Sequence, residues 1–278
     1  MLTPGQRRSI SYLSSAALGC AAVREVVHGS LGNAHMLAFA ATGTILIPTL
    51  WKNSQWFGPV ETRFDTLERH VWLTIDDGPD PEETPGILRV LEKHGVKATF
   101  FVIGERVRRW PDLAREIVRS GHGLQNHTYH HTSGTFWCAS PGRASREISM
   151  CGDVIFETTG VRPNLFRTPV GLANPFVHAA VQRAGLRMVG WSAAGWDGVF
   201  HHSGKVIARI LGHLSPGAII LLHEGSLRGM PQGTRARTLD ELLCQLKLNG
   251  YEAVLPDSDK LSPLFCTQDG FFGKNESS

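Results

Sequence analysis

The chain has 278 residues, of which 42% are hydrophobic, and its formal net charge is +3. This length and apolar fraction are sufficient for one large domain or two ordinary ones, each with a proper core. The small net charge, without a run of interleaved arginines and aromatic residues, argues against a nucleic-acid partner. The five cysteines form no C-x-x-C pair, which argues against a disulfide scaffold and a thiolate zinc site.

Residues 1–60 differ in composition from the rest of the chain. Fifteen uncharged residues lie between Arg8 and Arg24, and twenty-six more precede Lys52. A hairpin of two short membrane helices is the favoured interpretation, and two helices packed on the following domain are the alternative. A cleaved signal peptide is a third interpretation, but its apolar core would be weak. We therefore expect a mostly helical apolar extension that associates with a membrane through residues 9–51.

We expect residues 52–70 to form a polar connector. A regular alternation of predicted strands and helices follows this segment. Strand-like runs predict strands at 71–75, 98–103, 122–126, 164–167, 187–191, 218–222 and 251–254. Helix-like segments, most of which are followed by a glycine, predict helices at 84–94, 111–120, 142–158, 175–184, 204–213 and 238–248. Such alternation is typical of a parallel sheet in an α/β fold. We expect one domain over residues 61–258 and a C-terminal tail over 259–278.

The stretch 71–79 carries the first functional signal. A buried strand runs into two adjacent carboxylates, Asp76 and Asp77, and then into a Gly-Pro turn. Because successive side chains of an extended strand point to opposite faces, one carboxylate can face a metal ion while its neighbour faces another group. The alternative is that one aspartate caps the next helix and the other belongs to the turn.

Further polar side chains follow the later predicted strands. His127 follows the third strand, Arg167 ends the fourth, and His223 ends the sixth. Trp191 ends the fifth strand, and Asp197 lies six residues later. In a closed barrel the carboxyl ends of all strands meet at one mouth, whereas an open doubly wound sheet gathers its site at one switch point. Contributions from so many strands favour a barrel.

His127 and His131 indicate a metal site. They are four residues apart, so one turn of helix or a tight loop would bring both imidazole rings to the same side. With one carboxylate they form a three-ligand set that leaves coordination positions open for water and substrate. This set suits one divalent ion, with Zn²⁺ favoured. His130 is a competing ligand on spacing alone, because residues three apart also share a face.

These residues lie in motifs that resemble those of the polysaccharide deacetylases, the carbohydrate esterase family 4 enzymes built on the NodB homology domain. The motifs are TIDDGP at 74–79, HTYHH at 127–131, RTPVG at 167–171 and LLH at 221–223. They occur in the order and at the spacing of the family. The resemblance implies a distorted, incomplete (β/α) barrel of about seven parallel strands and a divalent metal, commonly zinc. It also implies hydrolysis of an N-acetyl, or sometimes an O-acetyl, group on a sugar.

The resemblance further implies a role for each matched residue. Asp76 would be the general base, oriented by Arg167, and His223 would be the general acid, tuned by Asp197. The metal ligands would be Asp77, His127 and His131, which decides against His130. The residues at the substrate would be Val170, whose backbone N–H stabilises the charge on the acyl oxygen, Trp191 and Trp196.

Two features depart from the family pattern. The fourth motif usually reads Asp-x-x-Asp-Trp after Trp-Ser, but here Ala194 replaces the first acid and Gly198 replaces the aromatic residue. Trp196 lies close enough in sequence to fill that space. The tyrosine that is usual in the third motif is Val170. Because both changes affect the substrate-facing wall, a smaller or lipid-linked acylated amino sugar is favoured over chitin or peptidoglycan.

Two other functions stay open at this point. The same barrel also serves hydrolases of cyclic amides, so the chain could be a metal-dependent amidase on a non-sugar substrate, which a small closed pocket would indicate. A non-catalytic glycan-binding module is the third hypothesis. It would need neither Asp76 nor His223, so the complete set of base, ligands and acid argues against it.

The basic residues of the extension predict its orientation. Arg7 and Arg8 precede the first apolar stretch and Lys52 follows the second, whereas Arg24 alone lies in the connecting loop. The excess of positive charge places both outer ends, and the domain that follows, on the cytoplasmic side. Scattered unpaired cysteines suit the reducing cytoplasm.

Overall fold

The computed structural model describes residues 3–199, 202–225, 231–257 and 261. Two long helices come first, α1 (Pro4–Val27) and α2 (Leu31–Thr49). The strands are β1 (His70–Gly78), β2 (Thr99–Val102), β3 (Gly123–Asn126), β4 (Leu165–Phe166), β5 (Arg187–Met188), β6 (Ala193–Ala194), β7 (Ala218–His223) and β8 (Glu252–Ala253). The helices between them are α3 (Thr84–His94), α4 (Gly104–Arg109), α5 (Pro111–Arg119), α6 (Pro141–Thr159), α7 (Pro175–Arg183), α8 (Ser203–Leu211) and α9 (Thr234–Leu248).

The strands form one parallel sheet in the order β5-β4-β3-β2-β1-β7-β6, and β8 pairs with the beginning of β1. β5 and β6 are consecutive in the chain but lie at opposite edges of the sheet. The sheet is therefore curled into a barrel that stays open between these two strands, which confirms the predicted incomplete (β/α) barrel. The carboxyl ends of the parallel strands lie at one mouth.

β1 lies in the middle of the sheet, and its side chains alternate between two environments. Val71, Leu73 and Ile75 are buried in the layer between the sheet and its surrounding helices. Trp72 points to the other face and packs with Phe101 inside the curl of the sheet. Burying each of these large side chains contributes about 1.5–3 kcal/mol, so β1 anchors both layers of the core. Because β1 is packed on both faces, its last residues are held in place.

Residues 57–64, in the segment between α2 and β1, contribute to the core, so the prediction of a polar connector over 52–70 is wrong for this part of the segment. Phe57 is fully buried, and Val60 and Phe64 are nearly so. Glu61 forms a β-bridge with Val189, which follows β5. Arg63 forms a second β-bridge with Ala218, the first residue of β7. The segment thus lies across the open side of the barrel. The sequence concealed this because the buried aromatic residues are separated by charged ones.

The predicted helix boundaries agree closely with the structure, but two short elements were missed. α4 is a six-residue, arginine-rich helix without an apolar period that would reveal it. The strand predicted at 187–191 ends at Met188, and a separate strand, β6, follows. Beyond Met188, the carbonyls of Val189 and Gly190 accept hydrogen bonds from the Arg167 side chain.

The N-terminal extension is helical, as expected. α1 and α2 pack against each other and are about 36 Å and 28 Å long at 1.5 Å per residue. Only 11% of each candidate membrane-spanning window is buried within the structure, and Phe39 is 83% exposed. By length and composition both helices could cross a bilayer, although signal sequences and core helices share those properties.

Candidate active site

The end of β1 presents two carboxylates through a β-bulge. The pairing of β1 with β2 shifts register between Asp76 and Gly78, and Asp77 between them has a left-handed backbone with φ of +73°. The expectation that the two carboxylates face different groups is therefore only partly met. Asp76 Oδ2 and Asp77 Oδ1 each lie 3.6 Å from His127 Nε2. The bulge turns Asp77 to the same side as its neighbour.

A glycine is required immediately after the bulge. A Cβ atom at Gly78 would overlap the carboxylate of Glu224, the residue that follows β7. Glu224 is fully buried and accepts a hydrogen bond from the Thr84 hydroxyl at the start of α3. Burial raises the pKa of Glu224 to about 8. This buried carboxyl therefore links the ends of β1 and β7 to α3, a role that the sequence analysis missed.

Asp77, His127 and His131 form a cluster that could hold one metal ion. Their ligand atoms lie within 4.8 Å of one another, and His131 Nε2 is 3.3 Å from Asp77 Oδ1. The loop after β3 brings the two imidazoles together, because Thr128 and His131 both adopt left-handed backbone conformations. The ring centroids of His127 and His131 are 4.6 Å apart.

The hydrogen bonds around the imidazoles distinguish the ligands from their neighbour. His127 Nδ1 lies 2.8 Å from the Arg167 carbonyl, so this nitrogen carries the proton and Nε2 keeps its lone pair for a metal. His130 instead places Nδ1 2.8 Å from Glu147, which also accepts from the His130 backbone N–H. The structure thus directs His130 away from the cluster and His131 into it.

The electrostatics of the cluster suit a cation. Asp77 Oδ1 is buried and has no hydrogen-bond partner among the described residues, which is costly for a carboxylate oxygen unless a cation compensates. Burial lowers the pKa of His131 to about 4, so its imidazole stays neutral. Burial alone would raise the pKa of Asp77, but the surrounding histidines and Arg106 lower it. A carboxylate with two imidazoles is a donor set that holds Zn²⁺ and other divalent transition ions.

Asp76 is held by a buried arginine. Arg167 is fully buried and donates a 2.7 Å hydrogen bond to Asp76 Oδ1 and a 2.8 Å bond to the Thr74 hydroxyl. Its remaining donors reach the carbonyls of Val189 and Gly190, and its guanidinium lies 4.2 Å over the Phe101 ring. These contacts fix Asp76 Oδ1, while Oδ2 faces the imidazole cluster.

His223 ends β7 and forms a second polar unit with Asp197. The His223 Nδ1 and backbone N–H each lie 2.7 Å from a different carboxylate oxygen of Asp197. Arg235 on α9, which the sequence analysis missed, donates a 2.7 Å hydrogen bond to the Asp197 carbonyl and lies 3.2 Å from its carboxylate. The Nε2 atom of His223 has no hydrogen-bond partner among the described residues.

The Asp197 carboxylate tunes the imidazole. Burial disfavours the charged form of His223, but the charge and hydrogen bond of Asp197, with smaller contributions from Asp77 and Asp76, outweigh it and raise the pKa to about 9. Burial would likewise raise the pKa of Asp197, but His223 and Arg235 hold it below its usual value. His223 is therefore protonated at neutral pH and can donate a proton.

The three residues expected at the substrate differ in exposure. Val170 is half-exposed and has a left-handed backbone with φ of +53°, and its N–H meets no acceptor among the described residues. Trp191 is partly buried and packs on the core cluster of Trp72 and Phe101. Trp191 thus contributes more to the core than to an open wall.

Trp196 lies at the surface beside two cations. It is 52% exposed, the Lys52 Nζ atom lies 5.6 Å from its ring, and the Arg209 guanidinium lies 4.8 Å from it. A Cβ atom at Gly198 would meet no atom within 4 Å, so the Trp196 ring does not fill the space at that position. Trp196 can therefore offer an aromatic surface to a sugar ring, with positive charge beside it.

Asn53 supports the Val170 loop from outside the predicted motifs. Its backbone N–H donates a 2.8 Å hydrogen bond to the Gly171 carbonyl, and its side-chain amide donates a 3.0 Å bond to the Trp191 carbonyl. A Cβ atom at Gly190 would lie 2.6 Å from Asn53 Oδ1. No local sequence signal marks Asn53, because both of its partners are more than a hundred residues away.

Comparisons with known proteins match this geometry. The polysaccharide deacetylase family model matches residues 64–189. A peptidoglycan-N-acetylglucosamine deacetylase of Bacillus cereus is 33% identical over 189 residues, which cover 67% of this chain and 86% of the relative. The chain belongs to the polysaccharide deacetylase family. This finding confirms the resemblance that the motifs indicated.

Other members of the family show the same relationship. A chitooligosaccharide deacetylase of a Bradyrhizobium strain is 34% identical, over 66% of this chain and 87% of the relative. The solved structure of the Bc1960 peptidoglycan N-acetylglucosamine deacetylase has a TM-score of 0.62 and 31% identity, over 70% of this chain and 89% of that one. The chain covers 38% of the length of the deacetylase PgdA of Listeria monocytogenes, to which it is 34% identical.

The His223–Asp197 pair leads us to predict how activity depends on pH. An acid catalyst is active while protonated, so activity should fall as pH rises through the pKa of His223. We expect Asp197→Asn to move this alkaline limb of the kcat/KM profile down by about 1–3 pH units, because the imidazolium loses its charge partner. A bound cation would offset the effect of Asp76 and Asp77 on the pKa of His223, but it would not offset the effect of Asp197. An alkaline limb at the same pH in Asp197→Asn and wild type would contradict the assignment.

Proposed function

We propose that the protein is a metal-dependent hydrolase that removes the acetyl group from an N-acetylated amino sugar, either within a glycan or carried on a lipid. The observation that carries this proposal is the convergence of Asp76, the Asp77–His127–His131 cluster and His223 at one mouth of the barrel. Base, cation site and acid are the three parts that hydrolysis of an amide requires. The family of deacetylases to which the chain belongs supports the same reaction.

Asp77, His127 and His131 would hold the divalent ion, which we propose to be Zn²⁺. The orphaned Asp77 oxygen and the free lone pair of His127 Nε2 fit such an ion. When bound, the ion would supply an acidified water as the nucleophile and positive charge close to the acyl oxygen. The remaining parts of the reaction belong to the protein side chains.

Asp76 would take the proton from the attacking water. Its Oδ2 atom faces the cluster, while the bond from Arg167 to Oδ1 prevents rotation of the carboxylate. Attack on the acetyl carbon places negative charge on the acyl oxygen, and the unpaired Val170 N–H would donate to it. Val170 has a left-handed backbone, and the bond from the Asn53 N–H to the Gly171 carbonyl holds the loop in place.

His223 would give a proton to the departing nitrogen. An amine leaves poorly unless it is protonated, and the Asp197 carboxylate keeps the imidazole charged at neutral pH. The Nδ1–H bond to Asp197 leaves Nε2 as the donating atom. Trp196 would stack on the sugar ring, and Trp191 would support the wall behind it.

A panel of substrates tests this proposal against the amidase alternative. Purified protein should release acetate, with an equal amount of free amine, from N-acetylated amino sugars. We expect little release from small acetamides or cyclic amides without a sugar, because Trp196 would lack a ring to stack on. Hydrolysis of cyclic amides with no release of acetate from any sugar would overturn the proposal. Binding of glycans without any turnover would favour a non-catalytic module.

We also propose that α1 and α2 anchor residues 61–258, the catalytic domain, to the cytoplasmic side of a membrane. The basic residues at the outer ends, Arg7, Arg8 and Lys52, and the exposed Trp51 beside them fit the interface of a bilayer. The exposed apolar side chains of both helices are difficult to explain in water. The proposed C-terminal tail, residues 259–278, lies outside the described residues except for Leu261, which is buried.

Membrane fractionation tests this anchor. We expect the full chain to sediment with membranes and to require detergent, whereas a shortened chain that begins at Lys52 should be soluble. Beginning at Lys52 keeps Asn53 and Phe57, which pack on the barrel. Protease added to the outside of sealed cells should leave the barrel intact. A full chain that is soluble and monodisperse without detergent would rule out the anchor, and digestion of the barrel from outside would reverse its orientation.

A further inference from the structure

A groove lies between one side of the α1–α2 hairpin and residues 51–56, which follow α2. Its volume is about 570 Å³, within the range of small-molecule sites. Ile10, Gly43, Ile47, Pro48 and Trp51 supply much of its lining, and most of the exposed lining surface is apolar. No side chain of the described residues fills this space. Its chemistry therefore suits a hydrocarbon chain.

One end of the groove carries a cation. Arg7 lines the groove, its guanidinium lies 5.9 Å from the Trp56 ring, and no described carboxylate pairs with it. The Trp56 indole donates a 2.7 Å hydrogen bond to the Ser11 hydroxyl, which fixes the ring beside Arg7. Glu25 is the one acidic residue in the first sixty, and it interacts with Asn33 near the opposite end of the hairpin. An unpaired arginine at the edge of an apolar groove suits a ligand in which an anionic group is joined to an apolar chain.

The groove is linked to the loops of the candidate active site through Asn53. Asn53 lines the groove and donates hydrogen bonds to the Gly171 and Trp191 carbonyls. The residue before it, Lys52, lies over the Trp196 ring. A ligand whose phosphate met Arg7 could thus present a sugar toward the barrel while its chain occupied the groove.

We infer that the groove between α1 and α2 binds the hydrocarbon chain of a single-chain lipid phosphate that carries the acetylated amino sugar. One groove and one unpaired arginine suit one chain and one phosphate group better than a two-chain phospholipid. This inference rests on the proposed function and names the class of substrate for it. It gives the hairpin a role in recognition in addition to that of an anchor.

The test measures binding rather than turnover. The full chain is purified in detergent, and retention of a polyprenyl phosphate is compared with that of the corresponding polyprenol and of a diacyl phosphatidic acid by native mass spectrometry. We expect one polyprenyl phosphate per chain, with the polyprenol bound about tenfold more weakly because it lacks the partner of Arg7. Equal retention of all three lipids, in several copies, would indicate annular lipid only and would overturn the inference.

Matched variants locate the site. Gly43→Trp should fill the groove and weaken polyprenyl phosphate binding at least about tenfold, since a Cβ there meets only Ile47 and leaves space for a ring. Gly32→Trp, on the same helix with nothing near its Cβ and outside the groove lining, should bind as wild type does. Arg7→Gln should lower the affinity for polyprenyl phosphate to the affinity for polyprenol. Arg24→Gln should leave the affinity for polyprenyl phosphate unchanged.

The outcomes separate this inference from the proposed function. Undiminished binding in Gly43→Trp and Arg7→Gln would overturn the groove assignment, even if the protein released acetate from soluble sugars. Binding with the predicted pattern, but no release of acetate from any sugar, would support the groove and contradict the proposed deacetylation.

Discussion

Asp76→Asn is expected to keep the metal site intact while reducing kcat by about 10²–10⁴-fold, because the attacking water loses its proton acceptor. The substitution preserves an oxygen that can accept the bond from Arg167, so the buried guanidinium keeps a partner and the fold should be retained. The measurements are metal content by elemental analysis and acetate release under saturating substrate. Thermal unfolding of the variant checks that the site is still folded.

The matched control is Asp77→Asn, one residue away. That change should lower the metal content, because Asp77 Oδ1 is the unpartnered oxygen of the cluster. Retained metal in Asp77→Asn together with lost metal in Asp76→Asn would mean that the roles of base and ligand are reversed. The bulge that turns both carboxylates toward His127 makes this comparison necessary, since geometry alone brings both within 3.6 Å of the same nitrogen.

His127→Ala should abolish both metal binding and activity. It removes one of three ligands and the hydrogen bond to the Arg167 carbonyl, and we expect metal affinity to fall by about 10²-fold or more. His130→Ala is the control, because that imidazole faces Glu147 and not the cluster. A full equivalent of metal in purified His127→Ala, or loss of metal in His130→Ala, would contradict the assignment of the site.

The fold alone would not justify an expectation of activity. A structure of similar shape, with a TM-score of 0.63 and 25% identity, is that of a family pseudoenzyme from Bacillus anthracis. A mutant of the same protein has restored enzymatic activity. Function in this family therefore depends on individual side chains. The present chain brings the base, the ligand cluster and the acid together, which is the reason to propose catalysis.

Much of the barrel could be predicted because its signals are local. Proline at the start and glycine at the end delimit most of its helices, and β-branched runs mark the central strands. Parallel strands bring their carboxyl ends together, so residues as distant as Asp76 and His223 could be placed at one mouth from chain position alone. They are directly paired in register between β1 and β7.

The features that were missed depend on long-range contacts. The left-handed backbone of Asp77 is set by the bulge against β2, and non-glycine residues give no local sign of it. Arg235 reaches Asp197 from α9, and Asn53 reaches the Val170 loop from before the barrel. Hydrophobic periodicity reports burial but not these polar contacts, which appear only after the chain has folded.

Stoichiometric metal reconstitution tests the central claim most directly. The wild-type protein is stripped of metal with a chelator and titrated with Zn²⁺, and acetate release from an N-acetylated amino sugar is measured at each addition. The account predicts no activity in the stripped protein and a linear rise that reaches its plateau at one equivalent. Full acetate release from the stripped protein, or a metal-loaded protein that releases no acetate from any acetylated amino sugar, would contradict it.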